Sequence, residues 1–138
     1  MMITGIDLLL AEHRRVEELF AQYSKAPSAG VAALIFADLE AHDEAETAAL
    51  YPLARALLGD DAVDPALLAH AEVKTLIDTA CALEGPPLDA AMKLLQKKVA
   101  AHVADEEKHL FPALAKAATD DQLTGLGARA EQVKQRVG

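Results

Sequence analysis

His42-Asp43-Glu44-Ala45-Glu46-Thr47-Ala48-Ala49-Leu50-Tyr51-Pro52 returns sixty residues later as His102-Val103-Ala104-Asp105-Glu106-Glu107-Lys108-His109-Leu110-Phe111-Pro112. Both stretches obey the pattern His-x3-Glu-x4-aromatic-Pro. On a helix, residues four apart stand one turn above each other on the same face. Each copy therefore presents an imidazole beside a carboxylate, a donor pair suited to iron, manganese or zinc. One such string also describes an ion pair on a solvated helix. Two copies with matching downstream residues point to a shared metal site.

Working outward, the apolar periodicity is helical throughout. In the first helix, Thr4 and Asp7 form a capping-box start, and Ile6, Leu9 or Leu10, His13, Val16, Phe20 and Tyr23 recur at spacing three to four as far as Lys25. Residues 26–30 read as a turn, with Ser28 capping a second helix that stops at Gly59. Pro52 lies inside that helix and deletes one backbone hydrogen bond, so a kink or bulge is expected just after the His42–Glu46 pair. A loop over 60–63 is expected to lead to Asp64 as N-cap and Pro65 as the first residue of a third helix. That helix carries Leu67, His70, Val73, Ile77 and Cys81 on one stripe and ends at Gly85. Pro86 and Pro87 read as a turn, and a fourth helix runs from Leu88 to Ala118 with Pro112 repeating the irregularity of Pro52. The tail has helical character around Ala128 to Arg136, with Leu123, Leu126 and Val133 as its contacts.

These elements predict an all-α fold: an up-down-up-down antiparallel four-helix bundle with a short C-terminal helical segment. A chain of 138 residues is long enough for one domain, here 1–138, with its own core. Its 52% apolar content is rich in Ala and Leu and poor in aromatics. The net charge of −9 argues against nucleic acid or an anionic membrane as a partner. The apolar run Ile6–Leu10 is too short to span a bilayer and lacks the features of a signal peptide. Cys81 stands alone, which fits a reducing, cytoplasmic setting, and reads as a small core residue.

One histidine falls on the apolar stripe near the middle of each helix: His13, His42, His70 and His102. A single core histidine is ordinarily just hydrogen-bonded. Four, converging with Glu46 and Glu106 in an apolar interior, need compensation, because burying unpartnered polar groups costs about 1–3 kcal/mol each and charges cost more. Lys74 and Lys98 are the nearest cations on these stripes, too few for the task. A dinuclear metal centre is the simplest compensation.

The order His13, His42-x3-Glu46, His70, His102-x3-Glu106 resembles the hemerythrin-like family, also called the HHE cation-binding domain, over nearly the whole chain. The resemblance implies two non-haem irons joined by an oxo or hydroxo bridge. Glu46 and Glu106 match the bridging carboxylates, His13 and His42 the terminal ligands of one iron, and His70 and His102 those of the other. Oxygen-carrying members have a further ligand histidine where this chain has Lys74, and a final aspartate one residue later than Glu106. The pattern is closer to the actinobacterial, including mycobacterial, members.

With one imidazole fewer, the second iron has an open position or a replacement ligand. Tyr51 is a candidate for that ligand or for a nearby donor, although ideal helix geometry turns it about 140° from Glu46. The alternative is a core aromatic. His109 reads as an outer partner or core polar group, and Glu17 as solvated. Asp38 is a possible acceptor for the His42 ring but reads better at the solvated edge of the stripe. Asp43, Glu44, Asp105 and Glu107 read as solvated acid. The expected function is turnover of small oxidants (hydrogen peroxide, nitric oxide, dioxygen) in oxidative or nitrosative stress, a peroxidase- or catalase-like chemistry. The alternative is an oxygen or iron carrier or sensor without turnover. A monomer or weak dimer is expected.

Overall fold

A computed structural model describes residues 4–137. The first helix, α1 (Gly5–Lys25), starts at the expected capping box: the Asp7 amide donates to Thr4 Oγ1 at 3.2 Å, and the Thr4 amide donates to the Asp7 carboxylate at 3.1 Å. The second rod begins with α2 (Ala29–Ala45), capped where the Val31 amide donates to Ser28 Oγ. It continues through a π-helical turn, Glu46–Leu50, into α3 (Tyr51–Leu58), and ends at Gly59, whose φ of +92° suits a residue without Cβ.

The third rod departs from the expected boundaries. Helix α4 (Asp60–Ala80) begins immediately after Gly59, and Pro65 lies inside it rather than at its first position. The turn at Gly59 lets the helix start at once, and Asp60 and Asp61 in its first turn face the positive end of the helix dipole. The helix also ends earlier than expected, and Cys81 sits exposed just beyond it, not in the core. The fourth rod starts earlier as well. Glu84 is the N-cap of α5 (Gly85–Asp105), so Pro86 and Pro87 occupy a first turn whose amides have no helical acceptor in any case. A second π turn, Glu106–Leu110, leads into α6 (Phe111–Ala117). The tail is a full helix, α7 (Asp120–Val137), longer than the expected segment.

The four rods form an up-down-up-down bundle with α7 packed against α1 and α2. Gly5 and Gly127 make that last contact possible: a Cβ on Gly5 would lie 2.3 Å from Leu126 Cγ, and one on Gly127 would lie 3.2 Å from the Gly5 nitrogen. Two apolar clusters fill the bundle. One holds Val16, Phe20, Ile35, Leu39, Ile77, Met92, Leu95 and Val99. The other holds Leu9, Leu50, Tyr51, Val63, Phe111, Leu114 and Leu126. Each fully buried Leu or Ile contributes roughly 1.5–3 kcal/mol. Between the clusters lies a polar layer in which Glu46 is 0% and Glu106 2% exposed. Among the described residues no helix is long and apolar enough to cross a membrane.

Candidate metal centre

Both π turns begin at a glutamate of the polar layer. In a regular helix the residue-52 amide would donate to the Ala48 carbonyl, but proline has no N–H. The backbone widens one turn earlier, and the Tyr51 amide donates to the Glu46 carbonyl, five residues back. The second copy does the same, with the Phe111 amide on the Glu106 carbonyl. An i→i+5 turn holds one residue more than an α turn. Tyr51 therefore returns to the face of Glu46 instead of pointing away.

The two carboxylates divide their oxygens between two groups of donors. Glu46 Oε2 and Glu106 Oε1 face His13 and His42, with Nε2–oxygen distances of 3.8, 3.3 and 3.1 Å for His13–Glu46, His13–Glu106 and His42–Glu46. Glu46 Oε1 and Glu106 Oε2 face the opposite pair, 2.8 Å from His70 Nε2 and 3.0 Å from His102 Nε2 respectively. The Tyr51 hydroxyl joins this second group, 2.8 Å from Glu106 Oε2, 3.2 Å from Glu46 Oε1 and 2.6 Å from His70 Nε2. Within each group of two histidines and two glutamates, one ligand atom per residue lies within 4.8 Å of all the others. Bonds of about 2.1 Å to one first-row cation hold neighbouring donors about 3 Å apart, and the shortest imidazole–carboxylate contacts, 2.8, 3.0 and 3.1 Å, match that spacing.

Three of the histidines are fixed from behind. His42 Nδ1 lies 2.6 Å from Glu12, His13 Nδ1 lies 2.8 Å from Glu107, and His70 Nδ1 contacts Asp43. A carboxylate only accepts, so each Nδ1 carries the proton and each Nε2 turns its lone pair to the centre, the arrangement of a metal-ligating imidazole. His13 Nε2 and His42 Nε2 then face each other at 3.2 Å. Two lone pairs at that distance repel unless a proton or cation lies between them. Glu46 Oε2 and Glu106 Oε1 are buried without a hydrogen-bond partner, which is costly in a protein interior. The donor set therefore fits a cation in each group.

The electrostatics agree. Burial disfavours charged imidazolium, but the facing Glu106 and Glu46 carboxylates outweigh it and raise His13 to about 9. His42 and His102 are likewise raised to about 10 against burial, His42 chiefly by the Glu46 charge and His102 by its hydrogen bond to Glu106. Glu46 is held well below the carboxylate range: burial raises it, but His42 and its hydrogen-bonded neighbours prevail. Burial and the two carboxylate charges push the Tyr51 phenol far up, so the hydroxyl is protonated and donates to the glutamates. Without a metal, protons supply the positive charge that this layer demands.

Every candidate ligand named from the sequence reaches the centre. The outer groups differ. His109 is 75% exposed and 3.9 Å from Asp105, neither a core group nor a partner of the site. Glu17 pairs with Arg14 in solvent, as expected, and Asp38 binds Arg15 rather than His42. Asp43 and Glu107 are not free solvated acids but the partners of His70 and His13, and Arg14 contacts Glu107 in turn. Glu12 was missed altogether. Each of these three acids sits one residue from a candidate ligand: Glu12 beside His13, Asp43 beside His42, Glu107 beside Glu106. That adjacency places them at the edge of the buried stripe, where they can reach across to a neighbouring helix.

A cavity of about 380 Å³ opens above the four imidazoles. Val16, Leu39, Val73, Ile77, Val99 and Val103 form its aliphatic walls, and Glu40, Asp43, Glu44 and Lys74 also line it. Tyr51 and Phe111 belong to the apolar cluster on the opposite side of the polar layer, with the Phe111 ring stacked 5.7 Å from that of His13.

Comparison with known proteins bears on this geometry. Residues 4–114 match the family described as the hemerythrin HHE cation binding domain. Among solved structures, a hemerythrin HHE cation binding domain-containing protein from Mycobacterium kansasii superposes with a TM-score of 0.81 at 24% identity, covering 98% of this chain and 90% of that one. A DNA nickase of Nostoc sp. is 30% identical over a 142-residue alignment that covers 96% of this chain. The chain spans only 40% of that relative's length.

Proposed function

This chain belongs to the hemerythrin HHE cation-binding domain family, and on that premise we propose that its core centre holds two iron ions and turns over small oxidants: hydrogen peroxide, nitric oxide or dioxygen. The carrying observation is the division of each glutamate. One oxygen of Glu46 and one of Glu106 point into each histidine pair, and the two that face His13 and His42 have no hydrogen-bond partner. Carboxylates so placed suit a bridge between two ions. His13 and His42 would hold one iron, and His70, His102 and Tyr51 the other.

Two irons supply paired one-electron changes, enough together for the two-electron cleavage of an O–O bond. The protein's own share is positioning. Glu12, Glu107 and Asp43 lock the ring orientations of His42, His13 and His70, so the Nε2 lone pairs are aimed before any ion arrives. The valine, leucine and isoleucine walls of the cavity admit small uncharged molecules to the imidazole face and keep bulk water scarce. On the other side, the Tyr51 hydroxyl holds a proton 2.8 Å from Glu106 Oε2, where it can be exchanged with the carboxylate. Lys74, at the position of the absent imidazole, is exposed and lines the cavity, which leaves the Tyr51 oxygen as the extra donor of that pair.

The nicking activity named for the Nostoc relative is not carried over, since the chain corresponds to a minority of that protein and a net charge of −9 opposes a DNA backbone. The deciding experiment loads the protein with ferrous iron anaerobically and adds oxidant under optical observation. Rapid consumption of hydrogen peroxide with oxidation of the irons supports turnover. Stable bands reversed by removing oxygen, with peroxide left intact, would make the protein a carrier.

A further inference from the structure

Helix α7 lies beyond residues 4–114, the part that matches the family, yet it makes two polar contacts with the centre's supports. Lys134 Nζ lies 2.6 Å from Glu12 Oε2, and the other oxygen of that carboxylate holds His42 Nδ1 at 2.6 Å. Arg129 Nε donates at 3.3 Å to the Ala48 carbonyl, the one that a regular helix would have paired with the missing amide of Pro52. The first contact reaches a ligand histidine through its carboxylate. The second braces the π turn that begins at Glu46. The first acts on the half of the centre built from α1 and α2, whereas the braced turn serves both halves, through Glu46 and Tyr51.

The helix is also firmly seated for such a role. Leu126, Ala130 and Val133 are buried, and Gly5 and Gly127 bring α1 and α7 to within backbone contact. Lys134 is thereby delivered to Glu12 by a packed helix rather than by a free tail. An ion pair on an anchored element loses less side-chain freedom than one between mobile groups, so it can hold its partner in one geometry.

We propose that α7 is a clasp on the first cation position. Lys134, through Glu12, is a positioning residue that slows release of the ion held by His13 and His42 and leaves the ion at His70 and His102 untouched. The inference rests on the two-ion reading above. Partners of ligand histidines contribute about 10–100-fold in metal affinity when removed, which sets the size of the expected effect.

The test loads the full chain with ferrous iron under anaerobic conditions, then follows release into an excess of chelator. In Lys134→Met, half of the iron should leave about tenfold faster, with the other half unchanged. Lys134→Arg should restore the parent trace. Glu12→Gln should accelerate the same half, and Lys134→Met should add nothing on that background, because the lysine acts through the carboxylate. The metal-free variant should melt at the parent temperature. Release unchanged by Lys134→Met overturns the clasp while leaving the two-ion reading standing. Equal acceleration of both halves with a lowered metal-free melting temperature also overturns it, since loosened packing then explains the result. If the parent holds a single ion, the two-ion reading fails, and the clasp stands or falls on whether that ion leaves faster.

Discussion

The two copies of His-x3-Glu-x4-aromatic-Pro are alike down to the backbone, and their pattern residues differ in one hydroxyl. Each ends a helix at a buried glutamate, opens a π turn over five residues, and resumes before its proline. Each returns an aromatic ring to the face of that glutamate. From the first copy comes Tyr51, whose hydroxyl reaches His70, His102 and both carboxylates. From the second comes Phe111, which stacks on His13 and offers no donor. The near-symmetric scaffold therefore presents two unequal cation positions: two imidazoles and two carboxylate oxygens on one side, the same with a phenol on the other. Duplication supplies the cage, and one substitution within it distinguishes the ends.

The largest effect should come from removing what the two positions share. Wild-type protein is expected to carry about two irons per chain by metal analysis. His42→Ala or His102→Ala should lower that sharply, and Glu46→Gln should empty both positions, because each of its oxygens serves a different one. A Glu46→Gln protein that still holds two irons would refute the bridging role.

Metal removal should come next. An ion that binds only the folded chain stabilises it by about 2.7 kcal/mol at a hundredfold excess over Kd. Calorimetry should show the metal-free protein melting well below the loaded form. Equal melting temperatures would mean that the carboxylates do not depend on a cation.

A smaller effect is a pH dependence confined to the metal-free state. His13, at about 9, and His42 and His102, at about 10, are raised above their ordinary value of 6.5. A group raised by folding contributes stability that is complete below its unfolded pKa and is lost as pH rises through the folded one. Melting temperature of the metal-free protein should thus decline between pH 7 and pH 10. In the loaded protein the Nε2 lone pairs are occupied and this decline should vanish; seeing it undiminished there would place the ions elsewhere.

The smallest structural effect should come from Tyr51→Phe, which makes the copies match. It removes one hydroxyl and little volume, and both irons should remain. The ferric wild type should show a tyrosinate-to-iron charge-transfer band that the variant lacks. A band absent from both would return Tyr51 to the role of a hydrogen-bonding core residue.

The convergence of the candidate ligands was legible in the sequence because its logic is local: residues four apart share a helix face, and a histidine in each apolar stripe marks one level of the bundle. Tyr51 was only half legible. Regular geometry turns it away, and Pro52 announced a disturbance without saying that the disturbance would be a π turn. The acids behind the histidines were visible but misjudged, because each pairs across helices and no spacing rule reaches there. The length of α7 was hidden by Gly125 and Gly127, which lower helix propensity. Only the packed structure shows that Gly127 buys a close crossing with α1 at Gly5. Pro65 misled for a similar reason, since Gly59 had already started the helix that the proline was expected to open.

The π turns have a further consequence, in reading-frame terms. Each behaves as a one-residue insertion whose rotation the wider turn absorbs, so the chain beyond it keeps the angular frame of the chain before it. Tyr51 and Phe111 occupy the places that the fourth residue after each glutamate would take in an unbroken helix. Deleting Ala48 should therefore leave α3 and its buried Ala54 in frame, straightening the rod while returning Pro52 to an ordinary helix interior at a cost of about 3 kcal/mol. Deleting a residue from α2 has no such absorber. It would swing every later side chain of the rod by about 100°, carrying Glu46 out of the centre. Tolerance to shortening should thus be concentrated in the two five-residue windows that look least regular.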